Sequence, residues 1–130
     1  MNIVSLLTPK AKVYTISTKM SVRQVLEIFD ANKFAILPLL DEEGRYISTI
    51  SEGDLLRFIK KEGKLDLLEL EKKSILEVDV YRPYSYLKID SPFEKIYKLS
   101  LEQNFIPLVD DRDVFIGIVK RKELLENLHR

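Results

Sequence analysis

The sequence of 130 residues has no cysteine and a single histidine, His129. Without cysteine there is no disulfide framework, no thiolate metal site and no cysteine nucleophile. We expect the penultimate histidine to fray, which removes a histidine-based catalytic triad or metal site as well. Paired acids such as Asp41 and Glu42 fall at a predicted turn, where acids are ordinary turn formers. These absences predict a protein without a metal site and without catalytic residues, and therefore not an enzyme.

Net charge and long apolar runs are also missing. The chain has 21 basic and 21 acidic residues, a formal net charge of zero. Binding of a nucleic-acid polymer needs a basic surface that displaces counterions, so this balance argues against it. No apolar run approaches the roughly 18 residues that indicate a membrane-spanning helix, and the N-terminus has no signal pattern. We expect a cytoplasmic protein without membrane contact, built as one compact domain or two half-domains sharing a core.

An internal repeat is the main feature that the sequence does contain. Residues 38–56 align without a gap on residues 107–125, at a constant offset of 69. Of these 19 aligned pairs, six are identical, where ordinary composition would give about one. Such a repeat indicates two copies of one supersecondary unit. We therefore divide the chain into repeat 1, residues 1–66, and repeat 2, residues 67–130.

Hydrophobic periodicity predicts the same order of elements in each repeat: short helix, strand, helix, strand, turn, strand, helix. Apolar residues from Val22 to Phe29 have helical spacing, and so do those from Phe93 to Leu101. From the last helix we expect three leucines to face the core: Leu124, Leu125 and Leu128. The predicted strands are 13–17, 35–40 and 46–50, then 84–89, 105–109 and 114–119. Strands interleaved with helices indicate an α/β fold with two small sheets.

Polar residues mark the predicted helix starts. Ser21 with Gln24, and Ser74 with Glu77, have the spacing of a capping box. Ser91 followed by a proline predicts an N-cap and the first helical position. Between the repeats, the charged segment 60–73 predicts an exposed helix or linker, and its leucines suggest some packing: Leu65, Leu67, Leu68 and Leu70.

The repeated segment has a distinctive form. A strand ends in Pro-Leu-Leu-Asp, a charged turn follows, and residues 46–56 then read YISTISEGDLL. This pattern resembles the CBS domain, and the tandem pair resembles a Bateman module over almost the whole chain. The resemblance implies two β-α-β-β-α repeats packed about a pseudo-two-fold axis, in the α/β (α+β) class. It also implies a stand-alone regulatory module.

Ser51 and Asp54 have the chemistry of a nucleotide site. They stand where a predicted strand ends and a helix begins, and the free N–H groups of a helix start stabilise an anion. A serine hydroxyl adds a donor for phosphate, and an ionised aspartate accepts hydrogen bonds from two vicinal hydroxyls of a ribose. The alternative is that Ser51 and Asp54 are the N-cap and first-turn acid of the helix and bind nothing.

The resemblance implies two sites in the cleft between the repeats, each combining the helix start of one repeat with the first strand of the other. One site would use Ser51, Asp54, Tyr86, Leu87, Asn104 and Ile106. The mirror site would use Lys12, Tyr14, Phe34, Ala35, Lys120, Arg121, Lys122 and Glu123. This second site departs from the family pattern, because Lys120 replaces a serine or threonine and Glu123 an aspartate. Three cations at a helix start oppose its dipole unless an anion binds, and would suit a ligand with several phosphates.

The resemblance implies an adenine nucleotide, AMP, ADP or ATP, as regulatory ligand, with no bound cofactor. Cyclic di-AMP, held by the basic second site, is one alternative. A ligand-free interaction module is another, with Tyr81, Tyr84 and Tyr86 beside Arg82 lining an interface. Family members commonly form homodimers, and we expect one here, together with a regulated partner protein of unknown identity. Ser48 stands where the family has the glycine seen at Gly117, which weakens the first site slightly.

Overall fold

The computed structural model describes residues 2–63 and 66–128, so Leu65 and His129 lie outside the described residues. The α-helices are α1 (Ile3–Leu6), α2 (Val22–Ala31), α3 (Glu52–Glu62), α4 (Leu67–Glu71), α5 (Phe93–Ser100) and α6 (Arg121–Asn127). The strands are β1 (Leu7–Pro9), β2 (Ile16–Ser17), β3 (Ile36–Leu40), β4 (Tyr46–Ser51), β5 (Leu87–Lys88), β6 (Phe105–Val109) and β7 (Phe115–Lys120). Short 3-10 helices cover Lys10–Lys12 and Ile75–Glu77. The predicted mixed α/β fold with two sheets is confirmed.

The described residues form two compact units. Unit C holds the residues up to Tyr14, the short piece Glu43–Tyr46 and the residues from Tyr84 onward. Unit N holds the residues of Thr15–Glu42 and Ile47–Pro83. These units differ from the two repeats read in the sequence, because the N-terminal strand pairs with a strand of repeat 2. The repeat boundary after residue 66 stays a prediction.

Unit C contains a four-stranded sheet in the order β1-β7-β6-β5. Strand β1 runs antiparallel to β7, with Pro9 opposite Gly117, and β5 runs parallel to β6. Gly117 is required here, because a Cβ at this position would lie 2.2 Å from the backbone oxygen of Thr8. Helices α1, α5 and α6 supply buried side chains to a core that includes Ile3, Leu6, Ile96, Ile106, Leu108, Val119 and Leu124.

Unit N contains a three-stranded sheet in the order β2-β3-β4, with β2 parallel to β3. The predicted apolar face of α2 is buried in its core through Val22, Val25 and Phe29. Helix α3 adds Leu55 and Phe58, and Leu70 of the connecting helix α4 is buried as well. The segment 60–73 is therefore more than an exposed linker. The packing suggested for its leucines is found at Leu70, whereas Leu67 and Leu68 are exposed.

The first strand of each repeat is shorter than predicted. Strand 13–17 contracts to Ile16–Ser17, because the preceding residues form a 3-10 turn that Val13 N–H closes on the carbonyl of Lys10. Strand 84–89 contracts to Leu87–Lys88. The Tyr46 hydroxyl donates to the Tyr84 carbonyl. A side chain rather than a neighbouring strand is therefore the hydrogen-bond partner of this backbone carbonyl.

Two predicted capping boxes are present, Ser21 with Gln24 and Ser74 with Glu77, although the second opens a 3-10 helix. The prediction for Ser91 is wrong. Pro92 is the N-cap residue of α5, in extended conformation and without a side-chain cap, and the Ser91 N–H closes a turn on Lys88.

The last helix buries less than predicted. Leu124 is fully buried, but Leu125 and Leu128 are exposed. The prediction that Leu125 faces the core is wrong. Leu125 follows the buried Leu124 by one position, and one position along a helix rotates the side chain by about 100°, away from the buried face. Leu128 is the C-cap residue, past the last helical turn.

Candidate functional site

Ser51 and Asp54 form a closed capping box at the start of α3. Strand β4 ends at Ser51, whose hydroxyl accepts a hydrogen bond from Asp54 N–H at 3.1 Å. In return Oδ2 of Asp54 accepts from Ser51 N–H at 2.9 Å. Both residues of the predicted nucleotide motif therefore stabilise the helix start, as the capping interpretation requires. Their role toward a ligand stays a prediction.

Asp54 also binds two groups beyond its cap. Its Oδ1 accepts from Arg57 Nη2 at 2.6 Å and from Tyr81 N–H at 3.0 Å. The side chain is 3% exposed. Burial alone would raise the pKa of Asp54, but the hydrogen bonds from Tyr81, Ser51 and Arg57 outweigh it and hold the pKa below its ordinary value. The site thus contains a buried and ionised carboxylate.

Two arginines lie over the ring of Tyr81, whose backbone N–H binds this carboxylate. The guanidinium carbon of Arg57 lies 5.1 Å from the ring centre of Tyr81, and that of Arg82 lies 5.2 Å from the same ring. Beside them is a cleft of about 410 Å³ lined by Arg57, Phe58, Lys61, Glu62, Glu77, Asp79, Val80 and Tyr81. The contact from Asp54 to Tyr81 was missed in the sequence, because no spacing rule links residues 27 positions apart.

The start of α6 in unit C is built differently. Lys120 is its N-cap residue and makes no side-chain cap. Arg121 Nε donates to the Ser100 carbonyl at 2.6 Å, so this predicted ligand residue neutralises the C-terminal end of α5. Lys120 and Lys122 are exposed, and Glu123 is half-buried. Of the three cations at this helix start, one is therefore bound by its own chain.

One backbone contact recurs at both helix starts. Glu52 N–H donates to the Ala35 carbonyl at 2.9 Å in unit N, and Arg121 N–H donates to the Asn104 carbonyl at 2.9 Å in unit C. These two pairs differ by the same offset of 69 as the sequence repeat. The structure thus brings the predicted residues Ala35 and Asn104 next to their own helix starts.

The residues predicted to contact a base in the first site lie in unit C. Tyr86 is 41% exposed, and its ring centre lies 5.4 Å from that of Tyr46. Leu87 is half-buried on β5, and Asn104 is exposed. Ile106 has no exposed surface, so a ligand contact by its side chain would require the core to open.

The predicted residues of the mirror site are mostly exposed. Lys12 and Tyr14 lie in unit C, at and just after the 3-10 turn of Lys10–Lys12. Phe34 and Ala35 lie in unit N, just ahead of β3. The residues of both predicted sites are thus divided between the units, and their sharing of a ligand stays a prediction.

Gln103 is a further residue that sequence reasoning missed. Its side chain is buried, accepts from Ser85 N–H at 2.7 Å and donates to the Ser85 carbonyl at 3.0 Å. It also donates to the Phe105 carbonyl. Gln103 therefore fixes the backbone just before Tyr86. A glutamine between a helix and a strand reads as an ordinary loop residue, so the sequence carried no signal for this contact.

Within residues 2–63 and 66–128 no cluster of acids or histidine is arranged to hold a metal ion. In the same part of the chain every buried side-chain nitrogen and oxygen has a hydrogen-bond partner. None of the helices in these ranges is long and apolar enough to cross a membrane.

Comparison with known proteins agrees with this architecture. The family model of the CBS domain matches residues 4–61 and 77–130. An uncharacterized protein of Methanocaldococcus jannaschii is 28% identical, over 80% of this chain and 79% of its own.

Solved structures show the same fold. CbpB in complex with c-di-AMP has a TM-score of 0.88 at 23% identity, covering 99% of this chain and 85% of CbpB. CBSX2 in complex with AMP has a TM-score of 0.75 at 22% identity, covering 98% of this chain and 96% of CBSX2. The two family matches span most of the sequence, and this chain belongs to the CBS-domain family as a tandem pair.

Proposed function

We propose that this protein is a regulatory CBS pair that binds an adenine nucleotide at the start of α3. The observation that carries the proposal is the buried, ionised carboxylate of Asp54 beside the serine N-cap. An ionised carboxylate is the acceptor that a ribose diol needs, and a helix start with a serine hydroxyl is suited to a phosphate.

Two solved relatives support this class of ligand. CBSX2 has been solved with AMP and CbpB with c-di-AMP, and both ligands contain adenosine phosphate. We favour AMP, ADP or ATP, because the start of α3 keeps both the serine and the aspartate. The base contacts are proposed to come from Tyr86, Leu87 and Asn104, with Gln103 holding the preceding backbone in place. Ile106 is fully buried and is left out of the proposed contacts.

Cyclic di-AMP is the second candidate, with Lys12, Tyr14, Phe34, Ala35, Lys120, Arg121, Lys122 and Glu123 as its proposed site. It is favoured by the exposed Lys120 and Lys122 at a helix start that has no side-chain cap. Two phosphates would offset the unfavourable contact between these cations and the helix dipole. We rank it second, because Arg121 is already bonded to the Ser100 carbonyl.

The proposed activity is regulation rather than catalysis, through a homodimer that signals to a partner protein in the cytoplasm. Exposed leucines at corresponding positions of the repeats support self-association: Leu56 on α3 is 69% exposed and Leu125 on α6 is 46% exposed. Exposed apolar surface on a helix is typical of an interface. Sedimentation at increasing protein concentration tests this part, and a monomer at all concentrations would contradict it.

Calorimetric titration with AMP, ADP, ATP and cyclic di-AMP tests the ligand. We expect Ser51→Ala to weaken binding of the preferred nucleotide by about 1–2 kcal/mol, because phosphate loses a donor. The matched control is Ser21→Ala, which removes the same kind of cap from α2 of the same unit. Both variants should lose about 1 kcal/mol of stability. Equal affinity of the two variants, or no binding heat with any nucleotide, would contradict the proposal.

A further inference from the structure

One carboxylate joins the start of α3 to the chain segment 79–82, both in unit N. Oδ1 of Asp54 accepts from Tyr81 N–H at 3.0 Å and from Arg57 at 2.6 Å, and Oδ2 accepts from Ser51 N–H at 2.9 Å. Each oxygen of a carboxylate has about two lone-pair sites. The hydrogen-bonding capacity of Oδ1 is therefore filled, while Oδ2 retains room for one more donor.

A ribose diol places one hydroxyl on each carboxylate oxygen, so Oδ1 must first lose one of its two donors. We propose that nucleotide binding releases the backbone N–H of Tyr81, which makes segment 79–82 a ligand-operated latch. The inference rests on the proposed function, because it takes Asp54 as the acceptor of the ribose.

Tyr81 rather than Arg57 is the donor that leaves. The bond from Arg57 is the shorter of the two, 2.6 Å against 3.0 Å, and joins opposite charges, whereas the donor at Tyr81 is a neutral backbone N–H. The Tyr81 side chain is 67% exposed, so water can reach its backbone once the bond opens. Ser51 N–H binds the other oxygen and does not compete.

The remaining contacts confine a local opening to the chain at Tyr81 and Arg82. Val78 is buried in the core of unit N and Val80 packs against that core, so both anchor the chain just ahead of Tyr81. The ring of Tyr81 contacts Arg57 and Arg82 as exposed cation–π pairs, which are weak in water. Pro83 follows, and the chain then continues to Tyr84–Leu87, where the proposed base contacts begin.

Amide hydrogen exchange on ¹⁵N-labelled protein tests the latch in the wild-type chain. We expect Tyr81 N–H to be protected in the free protein and to exchange about tenfold faster or more when AMP saturates the protein. Val22 N–H, which donates to the Lys73 carbonyl at 2.8 Å in the same unit, is the internal control and should not change. If AMP binds but the exchange rate of Tyr81 N–H is unchanged, the latch is wrong and the proposed nucleotide binding still holds. Absence of binding by any adenine nucleotide overturns both.

A pair of variants gives a second readout. Tyr81→Pro removes the N–H that the ligand has to displace, so AMP should bind about three- to tenfold more tightly than to the wild type. Tyr81→Phe keeps both the N–H and the aromatic ring and should bind AMP as the wild type does. Equal affinity of the two folded variants contradicts the latch. Should Tyr81→Pro not fold, the exchange measurement decides.

Discussion

The starts of α3 and α6 occupy the same position in the two repeats, yet they are built differently. At α3, Ser51 and Asp54 close a capping box, and Asp54 also holds Arg57 and Tyr81. At α6, Lys120 provides no cap, and Arg121 binds the end of α5. Buried residues such as Leu55 and Leu124 are the same in both helices. Core packing therefore preserves the duplicated fold, while the polar helix starts have diverged.

The strands before these helices show a second difference. Gly117 on β7 lies against the backbone of β1, whereas Ser48 is the corresponding residue on β4, at the edge of the three-stranded sheet among the described strands. The sequence suggested that Ser48 weakens a ligand site. In the structure a glycine is needed at position 117 for a different reason, because β1 lies too close to β7 to leave room for a Cβ there.

The largest effect that we expect comes from Gly117→Ala. Its Cβ would lie 2.2 Å from the Thr8 carbonyl oxygen, so β1 must move away from β7. We predict a loss of about 3 kcal/mol or more in the free energy of unfolding, measured by urea denaturation. The matched variant Ser48→Ala should stay within about 0.5 kcal/mol of the wild type. Similar losses in the free energy of unfolding for both variants would contradict the idea that contact with β1 is what requires a glycine at position 117.

Asp54→Ala should have the next largest effect. It leaves the backbone N–H groups of Ser51 and Tyr81 without their acceptor, and we expect a loss of about 2 kcal/mol in stability. Nucleotide affinity per folded molecule should fall by about 1–3 kcal/mol, because the ribose acceptor is gone. The corresponding variant Glu123→Ala should change stability by less than about 0.5 kcal/mol. Urea denaturation and calorimetry measure the two quantities, and unchanged affinity with lost stability would make Asp54 a cap alone.

The lowered pKa of Asp54 predicts the pH dependence of this effect. A carboxyl whose pKa is lower in the folded than in the unfolded state stabilises the fold above its unfolded value, near 3.9, and loses that contribution as pH falls through the folded pKa. We therefore expect the wild type to exceed Asp54→Asn in stability at pH 6, with the gap shrinking below about pH 4. Urea denaturation across this range checks the sign. A gap that widens on acidification would contradict the assignment.

The smallest effect on stability should come from Lys120→Glu with Lys122→Glu. Both side chains are exposed, so we expect a change within about 0.5 kcal/mol in the free energy of unfolding. Affinity for AMP should be unchanged, while any binding of cyclic di-AMP should be lost. Loss of AMP binding in this double variant would place the nucleotide at α6 instead of α3.

The sequence predicted the repeated frame well, because buried apolar spacing and capping boxes are local signals. Helix α2, strand β6 and the capping boxes at Ser21 and Ser74 lie where they were expected. The predicted N-cap of α5 was wrong. A serine followed by a proline fits the general rule for an N-cap and first helical residue, but here Pro92 itself is the N-cap residue.

The contacts that define the candidate site were less accessible to sequence reasoning. Tyr81 reaches Asp54 across 27 positions, Arg121 reaches Ser100 across 21, and Gln103 reaches Ser85 across 18. Such pairs depend on how the chain folds back on itself, and no local spacing rule encodes them. Strand β1 was missed for the same reason, since its three residues gain their partner from β7.

The most direct measurement of the central claim is a titration of ¹⁵N-labelled protein with AMP, followed by NMR. We predict that the largest shift changes fall on the backbone amides of residues 51–54 and on Tyr81, with smaller changes at residues 120–123. Changes confined to residues 120–123, or no change at saturating AMP, would contradict a nucleotide site at the start of α3.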